Sequence, residues 1–91
     1  MRFSLVITKR AKKDILALPT LEARRIVKKL RFFIASPDPL SYAKPLTNTA
    51  VAQYRFRVGD YRVLFDVDAR GNITILTVLA VQHRKDVYQG I

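Results

Sequence analysis

Two successive segments near the middle of this 91-residue chain alternate apolar and polar residues with the two-residue period of a β-strand. They are YRFRV (54–58) and YRVLFDVD (61–68), joined by a Gly-Asp turn. The alternation predicts a β-hairpin with one face toward an apolar core and the other toward solvent. The solvent-facing side carries Arg55, Arg57 and Arg62, so the predicted sheet presents a cationic surface suited to phosphate.

Two further segments have the character of strands. The alternating residues Arg2 to Ile7 predict an opening strand. ITILTVLAV (73–81) is apolar at nearly every position, which predicts a central strand covered on both faces. The segment after it, QHRKDVY (82–88), is expected to form a turn or a short C-terminal helix.

Helical spacing dominates the region between the first strand and the hairpin. Thr8 is expected to cap a helix over Lys9 to Leu18, which the following proline ends. Thr20 is expected to cap a second helix that ends near Ala35, before a long proline-containing loop over residues 36–52. The apolar stripe of the second helix consists of Ile26, Val27, Leu30, Phe33 and Ile34.

The order of these elements predicts the fold class. A strand, a helical hairpin and an antiparallel sheet make an α+β fold, and 91 residues are expected to form a single domain over residues 1–91. Tyr54 and Tyr61 share the apolar face of the hairpin and are expected to belong to the core.

Charge is the second strong constraint. Lys and Arg number 17 against 7 Asp and Glu, a formal net charge of +10, which requires an anionic partner. Nucleic acid is the first candidate, because neutralised phosphates release counterions, and an acidic protein is the alternative. The basic residues of the helices form either a solvated face or a surface that follows a nucleic-acid backbone.

Several classes of protein are disfavoured by composition. The absence of cysteine excludes disulfides and thiolate chemistry, and one histidine with scattered acidic residues suggests no metal site and no cofactor. The first ten residues contain too short an apolar run for a signal peptide, and no segment approaches the ~18 apolar residues of a membrane span. We therefore expect a cytoplasmic protein without a membrane partner.

In these residues the chain resembles the RelE/ParE superfamily, and within it the RelE toxins of bacterial type II toxin–antitoxin systems. The resemblance covers essentially the whole chain and rests on the order of elements, on the hairpin and on the ending VLAVQHRKDVY (78–88). It implies the RelE-like microbial RNase fold and a ribosome-dependent, metal-independent mRNA endoribonuclease that inhibits translation. The implied partners are the ribosome, mRNA and a cognate RelB-like antitoxin that neutralises the toxin in a hetero-oligomer.

The resemblance also implies site residues. Arg62 in GDYRVLF and Arg84 in QHR match the arginines that bind the scissile phosphate, and Tyr88 matches a tyrosine that stacks on a base. Arg55 and Arg57 stand where the best-studied form carries lysines, a change that keeps phosphate binding and disfavours proton abstraction.

Proton transfer has no single candidate in the sequence. Histidine is the residue type that titrates near neutral pH, which makes His83 a candidate acid or base, although a histidine after an apolar strand is more often structural. Tyr88 is another candidate, as are Lys44 and Lys85, which are also expected to bind RNA.

Each arginine has a structural alternative. Arg55 and Arg57 could be ordinary solvated residues, whereas Arg84 could pair with Asp14 or Asp86. Arg62 could form a structural ion pair with Asp60, Asp66 or Asp68.

Two other functions stay open at this point. One is a ParE-like inhibitor of DNA gyrase without catalytic activity, and the other is a non-toxic module that binds nucleic acid.

Overall fold

The computed structural model describes residues 2–47 and 50–85. Within them the order of elements matches the predicted α+β fold, with two helices followed by an antiparallel hairpin. The elements are β1 (Arg2–Ile7), α1 (Lys9–Leu16), α2 (Thr20–Ala35), a 3₁₀ turn (Pro39–Tyr42), β2 (Ala43–Pro45), β3 (Tyr54–Val58), β4 (Tyr61–Arg70) and β5 (Ile73–His83).

The five strands form one sheet in the order β1-β5-β4-β3-β2. All neighbours are antiparallel except β1 and β5, which are parallel. The β3–β4 turn contains Gly59 with a φ of 59°, a left-handed conformation that glycine adopts without strain.

Both helices pack on the same face of the sheet. The predicted stripe of α2 is confirmed, since Ile26, Leu30 and Phe33 are buried. Phe33 stacks on Phe56 at 4.5 Å between ring centroids, and Phe56 stacks on Phe65 at 4.4 Å. This aromatic stack joins α2 to β3 and β4 and lies in the core.

Tyr54 and Tyr61 lie on the helix-covered face, as predicted. Both are partly buried and pack against the core cluster, and the ring of Tyr54 stacks on Phe65 at 5.7 Å. They are therefore turned away from the arginines of β3 and β4.

The prediction that β5 is covered on both faces is confirmed only near Ala80, which is buried with Ala52 and Leu64 on the face away from the helices. Buried residues alternate with half-buried ones along the strand, and Ile73 at its start is exposed. The helices cover one face, while a small cluster of apolar residues lies on the other. The continuous apolar sequence therefore indicates a strand with a neighbouring strand on each side, β1 and β4, and two covered faces over only part of its length.

The helix ends differ in detail from the predictions. Thr8 caps α1 as expected, accepting a hydrogen bond from the Ala11 N–H at 3.2 Å. The helix ends at Leu16, two residues early, because the Leu18 N–H bonds the carbonyl three residues back, at Ile15, and tightens the last turn.

Thr20 does not cap α2. It is the first helical residue, and the capping position belongs to Pro19, whose side chain makes no capping bond. The Pro19 carbonyl already accepts the first helical hydrogen bond, from Ala23 N–H at 3.0 Å, so the helix starts one residue earlier than the threonine suggested.

The predicted loop over residues 36–52 contains two short elements. A 3₁₀ turn begins at Pro39, and β2 then pairs with β3 at the edge of the sheet. Pairing with a strand about ten residues further along the chain supplies the hydrogen bonds of β2, which local sequence does not encode.

Candidate functional site

The strand register brings four predicted site residues onto the sheet surface opposite the helices. Arg57 on β3 lies directly opposite Arg62 on β4, and Lys44 on β2 lies opposite Arg55 on β3. Residues paired in this way carry their side chains on the same face. We call this surface, defined by Lys44, Arg55, Arg57 and Arg62, the cationic face.

The cations of this face affect one another. Partial burial, followed by the positive charges of Arg62 and Arg57, lowers the pKa of the Arg55 guanidinium below its ordinary value. Like charges placed on neighbouring strands repel, so they cost stability in the free protein. An anion bound among them relieves that repulsion.

Two of the three carboxylates proposed as structural partners of Arg62 are engaged elsewhere. Asp66 accepts a hydrogen bond from the Gln53 N–H at 2.9 Å, and Asp68 accepts one from Arg70 Nε at 2.8 Å. The Arg70–Asp68 contact is the one ion pair among residues 2–47 and 50–85. In this part of the chain the cationic face is therefore not neutralised by the protein's own acidic groups.

Apolar residues lie beside the cations on the same face. Leu64 on β4 pairs with Arg55 of β3 on one side and with Ala80 of β5 on the other. These three side chains form a row across the sheet that is cationic at Arg55 and apolar at Leu64 and Ala80. Leu64, Ala80 and Ala52 form a small buried cluster. On this side of the sheet, cations that can bind phosphate therefore lie beside a buried apolar cluster.

Arg84 is placed at the end of the sheet where the β3–β4 turn lies. Its backbone N–H donates to the Asp60 carbonyl at 2.8 Å, and its side chain is exposed. Arg84 and Lys85 are helical, in agreement with a turn or helix after the last strand, and both are exposed. Asp14, one alternative partner for Arg84, instead accepts a hydrogen bond from the Val81 N–H at 2.9 Å.

His83 is on the other side of the sheet from the cationic face. It pairs with Tyr61 across the β4–β5 ladder, and the two rings meet edge to face at 5.1 Å between centroids. Its Nδ1 accepts a hydrogen bond from the Lys85 N–H at 3.1 Å. The structure therefore separates His83 from Arg62, while Tyr88 and Asp86 lie outside the described residues.

Gln82 is a site residue that the sequence reasoning missed. β5 extends to His83, and Gln82 lies directly opposite Arg62, so its amide joins the cationic face. The sequence carries no signal for this position, because the polar residues QHRK (82–85) indicate a turn as readily as the end of a strand.

The described residues set limits on the chemistry of the site. Arginine and lysine bind phosphate and stabilise negative charge that develops during phosphoryl transfer, but arginine is a poor general base. No group of three His, Asp or Glu side chains that could hold a metal ion occurs in residues 2–47 and 50–85. The arrangement is suited to binding and stabilising an anion.

Comparison with known proteins identifies the class. The model of a family described as the ParE toxin of the type II toxin–antitoxin system parDE matches residues 5–88. The chain therefore belongs to this toxin family, within the RelE/ParE superfamily.

The similar proteins carry RelE-type names. Toxin RelG of Mycobacterium tuberculosis (strain ATCC 25618 / H37Rv) is 30% identical over 89 residues, which are 98% of this chain and 99% of RelG. The toxin–antitoxin complex RelBE2 from Mycobacterium tuberculosis contains a chain with a TM-score of 0.64 and 26% identity, covering 92% of this chain and 100% of that one.

An archaeal complex has a similar fold. In the RelE–RelB complex from Pyrococcus horikoshii OT3, the matching chain has a TM-score of 0.65 and 25% identity, over 92% of this chain and 97% of its own length. These similarities confirm the predicted RelE-like fold. Among the described residues, no helix is both long and apolar enough to cross a membrane.

Proposed function

We propose that this toxin is a ribosome-dependent mRNA endoribonuclease that acts in the cytoplasm and inhibits translation. The observation that carries the proposal is the cationic face, where Arg55, Arg57 and Arg62 lie on adjacent strands without an ion pair to any described residue. A group of this kind, half-exposed at Arg55 and Arg62 and exposed at Arg57, is suited to bind the phosphates of a single RNA strand.

The chemistry requires no bound metal ion. The 2′-oxygen of the substrate attacks the neighbouring phosphorus, its proton passes to a base, and the 5′-oxygen leaves with a proton taken from an acid. Arg62 and Arg84 bind the scissile phosphate and stabilise the charge that builds up on its oxygens. A preorganised donor in this role is worth about 10²–10³ in rate.

The remaining predicted residues have supporting roles in the proposal. Arg55, Arg57 and Lys44 hold the RNA backbone along the sheet, and Lys85 does so beside Arg84. Tyr88 stacks on a base and is, with the lysines, a candidate for proton transfer. His83 stays a candidate of a different kind, because from the helix-covered face it can reach the substrate only around the end of β5.

A cognate RelB-like antitoxin is the proposed neutralising partner in a hetero-oligomer. The similar solved structures are complexes of RelE-type toxins with antitoxins. On this chain, Leu16 and Leu21 beside the turn between the helices are 82% and 79% exposed. Exposed cations lie one helical turn from each leucine, Lys12 and Lys13 before Leu16 and Arg24 and Arg25 after Leu21, a combination that fits an acidic amphipathic segment.

Inhibition of DNA gyrase is the second candidate function. It is favoured by one specific finding, which is that the matching family model is the one described for ParE toxins. It is also compatible with a cationic face on which arginines, and no evident general base, are placed.

The two functions are separated by one experiment with the wild-type toxin. Primer extension on an mRNA in a purified translation system reports cleavage, with and without ribosomes, and a supercoiling assay with purified gyrase runs in parallel. Cleavage within codons that requires ribosomes establishes the endoribonuclease. Inhibited supercoiling without RNA cleavage contradicts it and establishes the gyrase inhibitor, and no effect in either assay by folded toxin indicates a non-toxic binding module.

A further inference from the structure

The ladder between β4 and β5 contains an extra residue in β5. Leu64 lies opposite Ala80 and Phe65 opposite Val78, so Leu79 has no partner across the ladder. Because side chains alternate strictly along a strand, this bulge reverses the face toward which each later residue of β5 points.

The reversal decides which residue lies beside Arg62. With the bulge, Arg62 is opposite Gln82 and Tyr61 is opposite His83. Without it, the regular register would place the apolar Val81 opposite Arg62. The bulge therefore adds an amide to the cationic face.

Side chains from the N-cap and the last turn of α1 hold the bulge in place. β1 ends its pairing with β5 at Ile7, and Thr8 Oγ1 then donates to the carbonyl oxygen of Val78 at 2.9 Å. Two turns further along, the Asp14 carboxylate accepts the buried Val81 N–H at 2.9 Å. These two side chains supply hydrogen bonds to backbone groups of β5 that lie at or beyond the end of β1. The backbone on either side of the bulge is therefore hydrogen-bonded.

The amide of Gln82 has a property that its cationic neighbours lack. Lysine and arginine only donate hydrogen bonds, whereas the glutamine carbonyl accepts them. RNA carries a donor beside every phosphate, the 2′-hydroxyl, and this group distinguishes RNA from DNA. When a phosphate of RNA is bound at Arg62, the adjacent 2′-hydroxyl lies near β5, where Gln82 is directly opposite Arg62.

We propose that Gln82 accepts a hydrogen bond from a 2′-hydroxyl of the bound strand and so selects RNA over DNA, with Asp14 as its positioning residue through the bulge. The inference rests on the proposed function, since it assumes that the cationic face binds RNA. It adds a specificity determinant to the face, in a residue that takes no part in proton transfer.

The test compares equilibrium binding of a short single-stranded RNA and of DNA with the same sequence, without ribosomes and at one salt concentration. The wild type is expected to favour RNA. Gln82→Leu, which keeps the size and removes the acceptor, is expected to reduce the ratio of RNA to DNA affinity about 2-fold to 10-fold, the scale of one neutral hydrogen bond. Gln82→Glu keeps an acceptor and is expected to retain the ratio while binding both polymers more weakly.

Asp14 is tested by a matched pair of variants. Asp14→Asn keeps a carbonyl oxygen for the Val81 N–H and is expected to preserve the RNA preference, whereas Asp14→Ala is expected to lower it as Gln82→Leu does. Circular dichroism verifies folding, and if the alanine variant does not fold, the two Gln82 variants decide the proposal.

Arg62→Ala distinguishes the proposed function from the Gln82 inference, because it is expected to weaken binding of RNA and DNA alike. If Arg62→Ala binds both polymers as the wild type does, the cationic face is not the binding site and the proposed function loses its main support. If it weakens both but Gln82→Leu leaves the ratio unchanged, or if the wild type shows no RNA preference, the Gln82 inference alone is overturned.

Discussion

The two faces of the sheet are formed by the same strands but differ in character, since one is buried and aromatic and the other is cationic. On β3, Phe56 is 1% exposed and stacks between aromatic rings of α2 and β4, while the next residue, Arg57, is exposed on the cationic face. One face lowers the free energy of the fold by burying aromatic area, and the other concentrates like charges that repel. On the proposed function, stability and binding are therefore carried by alternate residues of the same strands.

This comparison predicts that substitutions of adjacent residues on one strand have different effects, depending on the face that each residue occupies. Residues of the helix-covered face are expected to affect unfolding, and residues of the cationic face are expected to affect binding and cleavage with little effect on stability.

The largest effect on stability is expected for Phe56→Ala. Removing this ring leaves a cavity between Phe33 and Phe65, and we expect a loss of about 3–5 kcal/mol in the free energy of unfolding, measured with denaturant. The matched control is Arg57→Ala, the next residue, for which we expect a change within about 0.5 kcal/mol. An Arg57→Ala loss as large as that of Phe56→Ala would show that both faces carry the fold.

A smaller loss is expected at the junction of strand and helix. Thr8→Val removes the hydroxyl that caps α1 and donates to the Val78 carbonyl, and we expect a loss of about 1–2 kcal/mol in the free energy of unfolding. Thr8→Ser keeps the hydroxyl and is expected to stay closer to the wild type. A Thr8→Val variant as stable as the wild type would show that these hydrogen bonds do not contribute to stability.

The smallest effect is expected for Arg55→Met. It removes a partly buried cation from a group of like charges, so stability should stay within about 0.5 kcal/mol of the wild type. The slope of log affinity for single-stranded RNA against log salt should become shallower by about 0.7, the value for one phosphate contact. Arg70→Met, which removes an arginine already paired with Asp68, is the control and should leave the slope nearly unchanged.

Patterns within a single segment were sufficient for much of the fold. Alternation located β1 and the β3–β4 hairpin and placed Arg57 and Arg62 on one face, and the helical stripe of α2 predicted its buried side. Each of these features depends on a periodicity that the residues express wherever the chain places them.

Features that depend on distant partners could not be predicted in this way. The strand that holds Lys44 exists because it pairs with β3, and the positions of Gln82 and His83 depend on a bulge that Asp14 of α1 helps to hold. A polar residue after an apolar segment gives no sign of the face it will occupy once a register shift lies between them.

The central claim is that the cationic face is the catalytic surface, and one comparison tests it most directly. The measurement is the single-turnover rate of ribosome-dependent mRNA cleavage by wild type, Arg62→Ala and Arg70→Ala. The two arginines lie on the same strand and the same face, but Arg70 is paired with Asp68 and lies at the far end. The account predicts a decrease of about 10²–10³ for Arg62→Ala and a rate near wild type for Arg70→Ala. Similar rates for the two variants, in folded proteins, would contradict it.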